Sequence, residues 1–174
     1  MDRDGRVHDT RSARAYDDMF VVLTPDGRVQ EFSGATHPGQ NSSRSSPDVA
    51  GRNGGRRDGA GDVGRINTGT YRVVPRGNHA GDRAWHVRTS GGSGRLDGVR
   101  DTNHDGNFSA DERRRSAERG DQLTGVLFHQ GGANRPSSIG CQTLSSAGEY
   151  RRFINAVGAR NAFNYTLVDA YPRD

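Results

Sequence analysis

The segment YDDMFVVLTPDGRVQEF, residues 16–32, commits the opening of this chain to antiparallel β structure. Two β-rich runs flank Pro-Asp-Gly, and an Asp26-Gly27 pair in that setting is a strong hairpin signal because it accepts the backbone twist of a tight turn. GTYRVVP at 69–75, AWHVRT at 84–89, LTGVLFH at 123–129 and FNYTLVDA at 163–170 are short apolar runs of the same kind. One segment breaks the pattern. In SSAGEYRRFINAVGA, Tyr150, Phe153, Ile154 and Val157 recur at i, i+3, i+4 and i+7, which is one face of a helix. Ser146 and Glu149 have capping-box spacing at its start, and Gly158 follows as a stop. The expected class is mainly β, a β-rich α+β fold with one clear helix near its C-terminal end.

Hydrophobic residues make up only 30% of the 174, and glycines number 25, so a lean single core must coexist with long polar stretches. The expected organisation is a polar tail over 1–15 and a single domain over 16–174. Residues 37–65, rich in Gly, Ser, Asn and Arg without hydrophobic period, read as a long flap. Residues 90–122 read as a second polar insertion containing a helix. No apolar run approaches the roughly 18 residues of a membrane span. MDRDGRVHDT at the start lacks the apolar region of a classical signal peptide. All 25 basic residues are arginine, set among 21 acids for a net charge of +4. They form no stripe interleaved with aromatics, which argues against a nucleic-acid groove. The densest cluster, Arg113 to Arg115, reads as a solvated helix face. A basic balance is compatible with an anionic polymer such as a bacterial cell wall.

Cys141 is the only cysteine, so no internal disulfide framework exists and the reactivity of a free thiol becomes the question. A nucleophilic cysteine needs its thiolate, and a nearby histidine supplies it by taking the proton. All six histidines (His8, His37, His79, His86, His104 and His129) precede Cys141. Papain-like and NlpC-type peptidases run cysteine first, so that order excludes them. His129 stands at the end of an apolar run, twelve positions before the cysteine. His86, within AWHV, reads as an ordinary strand histidine.

HQGGANRPSSIGCQTL, 129–144, resembles the catalytic signature of the L,D-transpeptidases, the YkuD-like domain, in which a strand-end histidine precedes a loop of the form S/T-H-G-C. INTGTYRV at 66–73 resembles a strand of the same family in the expected position. The resemblance covers residues 16–36, 63–89 and 123–170, and implies a YkuD-like β-sandwich or barrel with one helix after the cysteine. It implies Cys141 as nucleophile and His129 as general base, oriented by a backbone carbonyl. Ser138 and Gly140 would shape the turn, and the N–H groups around Gly140 and Cys141 would serve an oxyanion hole. Two positions depart from the pattern. Ile139 stands where the family has histidine, and Thr143 replaces an arginine that helps hold the substrate carboxylate. Arg135, or an arginine of the flap, is the candidate substitute.

DTNHDGNFSADE, 101–112, resembles the EF-hand calcium loop position by position. Asp101, Asn103 and Asp105 stand at 1, 3 and 5, and Gly106 takes the sharp turn at 6. Asn107 would offer its carbonyl at 7, with Ser109 at 9 and Glu112 at 12. The glycine-rich TSGGSGRLDGVR before it is no entering helix, so a single structural calcium site pinning the insertion is expected. A polar turn followed by a helix capped at SADE is the plainer reading, and both can hold.

The leading expectation is a cysteine enzyme acting on tetrapeptide stems of peptidoglycan, as L,D-transpeptidase or L,D-carboxypeptidase. Its place of action would be the periplasm or cell envelope. Without a classical signal it would be an excised domain or exported by another route. An antibacterial effector with a dedicated immunity protein is one such version. Two rivals stand beside it: a calcium-stabilised wall-binding module with an inert Cys141, and a cysteine peptidase of other specificity.

Overall fold

The computed structural model describes residues 16–39, 62–133, 136, 138–159 and 161–169. The polar tail, Arg135, and the flap from 40 to 61 lie outside the described residues. Among the described residues, ten strands and two helices follow in order. The strands are β1 (Asp18–Leu23), β2 (Val29–Ala35), β3 (Gly64–Ile66), β4 (Gly69–His79), β5 (Asp82–Arg88), β6 (Arg95–Arg100), β7 (Gln122–Thr124), β8 (Leu127–Gln130), β9 (Gln142–Leu144) and β10 (Phe163–Leu167). Helix α1 (Ala110–Arg119) precedes β7, and α2 (Ala147–Val157) lies between β9 and β10. The fold is mainly β, with a curled seven-stranded half-barrel and a small second sheet.

The large sheet runs β1-β2-β9-β8-β5-β4-β10, and β3-β6-β7 form the small one. The β1–β2 hairpin closes as its turn residues dictate. Leu23 pairs with Val29, Gly27 N–H donates to the Thr24 carbonyl at 2.9 Å, and Gly27 sits at φ 83. Every neighbouring pair in the large sheet is antiparallel except β8–β9, which is parallel, with His129 opposite Thr143. That parallel pair needs a long connection, and the loop carrying Ser138, Gly140 and Cys141 supplies it.

Packing against the half-barrel is aromatic. Phe153 of α2 stacks on Phe128 at 5.6 Å between centroids and meets Trp85 edge-on at 6.0 Å. Phe32, Phe128, Trp85, Tyr150 and Phe153 are all essentially buried. Five such side chains bury enough area to hold a chain with so few apolar residues, since each aromatic buries on the order of 150–250 Å². Tyr150 and Phe153 are buried along the stripe expected of α2. Its N-cap is Ser146, which accepts from Glu149 N–H at 3.1 Å. The reciprocal half of that box is not made: Glu149 instead accepts from Ser33 N–H at 3.3 Å and pairs with Arg152. The full box belongs to Ser109 and Glu112 on α1.

Several expected boundaries change. LTGVLFH is two strands, because the chain turns between Thr124 and Leu127 and passes from the small sheet to the large one. The ends of the flap are part of the fold: His37 is buried, and Gly64 and Arg65 pair in β3. The insertion at 90–122 is likewise no polar excursion throughout. It supplies β6, whose Leu96 and Val99 are buried. Arg113, Arg114 and Arg115 are exposed on α1, where Arg114 bonds Asp111 at 3.0 Å and Glu118 at 3.1 Å. No helix among the described residues is long and apolar enough to cross a membrane.

Candidate active site

Strand alternation decides what the β8–β9 pair offers on each side. Phe128 and Gln142 are register partners and turn to the aromatic core. Leu127 and His129, with Cys141 and Thr143 on the adjoining chain, therefore share the opposite face. Cys141 lies two residues before Thr143, the partner of His129, so the two side chains stand diagonally, about 8 Å apart at the backbone from strand spacing and rise.

His129 is buried, and its Nδ1 lies 2.6 Å from the carbonyl of Gln130. A carbonyl only accepts, so Nδ1 carries the proton and Nε2 carries the lone pair. Burial holds the His129 imidazole below its ordinary range. The Gln130 hydrogen bond pushes it back up, and the charge of His79 pushes it further down. The ring is accordingly neutral at neutral pH, which is the state of a general base.

Cys141 is half-buried, and burial pushes its thiol up; a backbone contact from Leu127, the Ser138 hydroxyl and the charge of Arg76 each offset part of that rise. Its Sγ faces the Gly125 carbonyl at 3.9 Å, and no hydrogen bond joins it to His129. The resting pair is thiol and imidazole, not thiolate and imidazolium.

Ser138 organises the turn that presents the cysteine. Its Oγ accepts from the N–H groups of Gly140, at 2.9 Å, and Cys141, and it donates to the Cys141 carbonyl at 3.1 Å. Both N–H groups expected of an oxyanion hole are thus bonded to Ser138 Oγ in this arrangement. Gly140 sits at φ 151, and a Cβ there would lie 2.8 Å from the Gly64 carbonyl. Only glycine lets the turn pack that closely on β3, where Gly64 N–H also donates to the Ile139 carbonyl at 3.1 Å. Replacing Ser138 by Ala leaves two N–H donors without their partner, each worth about 1–3 kcal/mol when buried. A lowered urea midpoint at unchanged slope is the expected outcome, and Ser138→Thr should recover most of it.

The remaining site residues divide. Ile139 is 72% exposed, two residues before Cys141. Thr143, which stands in place of the family's carboxylate-holding arginine, is fully buried, with its Oγ1 lacking a hydrogen-bond partner. Sequence reasoning missed His79 and Arg76, both carried by the end of β4. The His79 ring lies 5.0 Å from that of His129.

Two places bear on metals. The loop of 101–112 folds round its own N–H groups. Asp101 accepts from Asp105 N–H at 3.2 Å and Gly106 N–H at 3.0 Å, and Glu112 accepts from Thr102 N–H at 2.9 Å and Ser109 N–H at 3.0 Å. Gly106 has φ 84, and Asn107 Oδ1 is buried without a partner. Among the described residues, the group whose His, Cys, Asp or Glu ligand atoms lie within 4.8 Å of one another is a different one, Asp17, Asp18 and His37. There His37 Nδ1 meets the Pro38 carbonyl at 3.0 Å and Nε2 meets Asp17 at 3.2 Å. Burial would lower the His37 imidazole, but the bond to Asp17 and the charge of Asp18 outweigh it and raise it. That arrangement is an internally satisfied ion pair tying the start of β1 to the end of β2.

A large cavity of about 1040 Å³ opens between β1 and β10 over Phe20, Phe128, Phe153 and Tyr165, away from Cys141. No family model, no curated protein and no solved structure matches this chain.

Proposed function

We propose that this chain is a cysteine acyltransferase or peptidase of the L,D-transpeptidase kind, with a YkuD-like fold, acting on peptidoglycan stem peptides in the cell envelope. The observation that carries the reading is His129, whose Nδ1 is held by the Gln130 carbonyl so that Nε2 is free to take a proton, on the face that also bears Cys141. In the reaction the Cys141 thiol gives its proton to His129 Nε2, and Sγ attacks the carbonyl that precedes the terminal D-residue. The C–N bond breaks, His129 returns the proton to the leaving amine, and a thioester remains on Cys141. An amine or water then takes the acyl group. For the first step Sγ must leave the Gly125 carbonyl and swing toward Nε2. The test is mass spectrometry of tetrapeptide muropeptides incubated with wild type and with Cys141→Ala. Release or exchange of D-alanine by wild type alone supports the reading, and its absence removes it.

A second reading is favoured by the raised thiol and by its bond to a carbonyl rather than to a base. In it Cys141 is inert and the domain only binds wall glycopeptide. Retained wall binding by Cys141→Ala, with no turnover by wild type, would select it.

Calcium is the cofactor this reading takes, as a structural ion. Asp101, Asn103, Asp105, Asn107, Ser109 and Glu112 offer oxygen donors at EF-hand spacing, and the unpartnered Asn107 Oδ1 leaves acceptor capacity inside the loop. Glu112 would have to turn from the N–H groups it now holds. An ion present at about a hundredfold over its dissociation constant adds about 2.7 kcal/mol, or about 5–10 °C in Tm for a domain this size. Calorimetry with calcium and with a chelator should show that difference, and Asp101→Asn, at the loop position that requires Asp, should abolish it. Superimposable melts would exclude calcium from the loop.

A further inference from the structure

We propose that His79 is a positioning residue for His129, delivered to it by an extension of the β4–β5 hairpin beyond the core. The inference rests on the catalytic reading of His129 for its meaning, but not for its test. β5 pairs with β8 through Trp85 opposite Phe128 and His86 opposite Leu127. Continuing that register brings the tip of the hairpin level with the end of β8. Two local features aim it. The register of β4 on β5 shifts between Pro75 and Gly77, and such bulges bend a strand and redirect its side chains. Ala80 at φ 52 and Gly81 at φ 93 then turn the chain so that His79 pairs with Asp82. The result is the ring contact with His129 at 5.0 Å, inclined at 58°.

That contact does two things. It gives the imidazole a wall on the side away from its own strand, so the ring is held between the Gln130 carbonyl and a neighbouring ring. It also sets a titratable group of like charge against His129, which disfavours the doubly protonated pair and keeps His129 neutral to lower pH. Among the described residues, the titratable and charged groups carried by the elements packed at this end of β8 include Arg76 and His79 on β4, Asp82 and His86 on β5, and Cys141 on the incoming turn. Tyr16 closes the far end, where its hydroxyl donates to the Gly132 carbonyl at 2.6 Å. His79 is the one whose charge lowers His129.

The test needs no substrate. In full-length Cys141→Ala, side-chain nitrogen-proton NMR follows the titration and tautomer of each histidine, and the same is done with His79→Gln and His79→Phe added. Both additions remove the charge, and Phe keeps the ring wall. The expected result is an upward shift of the His129 midpoint by about 0.5 unit or more in both, a factor of about 3 in its proton affinity. Loss of a single Nδ1-protonated tautomer is expected in His79→Gln and not in His79→Phe. An unmoved midpoint in both variants overturns the proposal, as does an unmoved tautomer in His79→Gln. Because the readout is the imidazole itself, a protein that failed to process muropeptides would leave this result intact, and the reverse also holds.

Discussion

Cys141→Ala is expected to abolish release of D-alanine from tetrapeptide stems while leaving the melt and circular dichroism of the protein unchanged. The two halves of that expectation have separate causes. Activity goes because alanine removes the atom to which the acyl group is transferred, and no other thiol exists in the chain. Loss of the nucleophile in enzymes of this design costs a factor of up to about 10⁶. Stability stays because the contacts of Sγ are weak, its bond to the Gly125 carbonyl being 3.9 Å long, while the turn is held by Ser138 and by the fit of Gly140 on β3. Intact-mass measurement on wild type should also show the thioester adduct, which the variant cannot form. Cys141→Ser is expected to be nearly as poor, since a neutral imidazole is too weak a base for an alcohol without further help. Turnover by Cys141→Ala above about one per cent of wild type would remove Cys141 from the mechanism, as no factor of this size survives such leakage.

His129→Gln is expected to lower kcat/KM at neutral pH by about 10²–10⁴, the usual worth of a positioned base. Its pH profile separates the base from a merely structural histidine. In wild type the base must be unprotonated, and burial and His79 hold its imidazole below the ordinary range. Activity should therefore rise through an acid limb lying below that range and stay level across neutral pH. In His129→Gln that limb disappears. Reaction then depends on the small fraction of thiolate, and because burial raises the thiol, activity should climb with pH into the alkaline region without a neutral plateau. Gln keeps a side chain of similar reach, so packing is little disturbed. Profiles of identical shape for the two proteins would show that His129 is not the group that takes the proton.

Much of the half-barrel is legible from single residues. Asp26-Gly27 named its turn because only a small set of dipeptides tolerates that backbone, and Tyr150, Phe153 and Val157 named α2 because helical spacing leaves a periodic trace. Where strands are exposed, that trace fades. Pro75 to Asn78 are all exposed in β4, so nothing in their hydrophobic pattern announces that the strand runs on to His79. The division of LTGVLFH between two sheets is hidden for the opposite reason. Leu123, Val126, Leu127 and Phe128 are all buried, and an unbroken apolar run carries no mark of which sheet each residue joins.

The site divides along the same line. Residue chemistry and chain order left an earlier histidine as the candidate partner of a late lone cysteine, and the family resemblance named His129 for it, with Ser138 and Gly140 shaping the turn. Those inferences use local identity, which a sequence states directly. The direction of each polar group is another matter. Local bonds aim Nδ1 of His129 at its own strand's next carbonyl and gather two N–H groups on Ser138, whereas the sealing of Thr143 inside and the arrival of His79 from fifty residues upstream are results of packing across strands. They depend on register and on the twist of a closed-up sheet, which arise only when distant segments pack. Sequence by itself supplied a lone thiol, an earlier strand-end histidine and the order of the two. Tertiary structure alone decided which ring lies against the His129 imidazole and what surrounds Cys141.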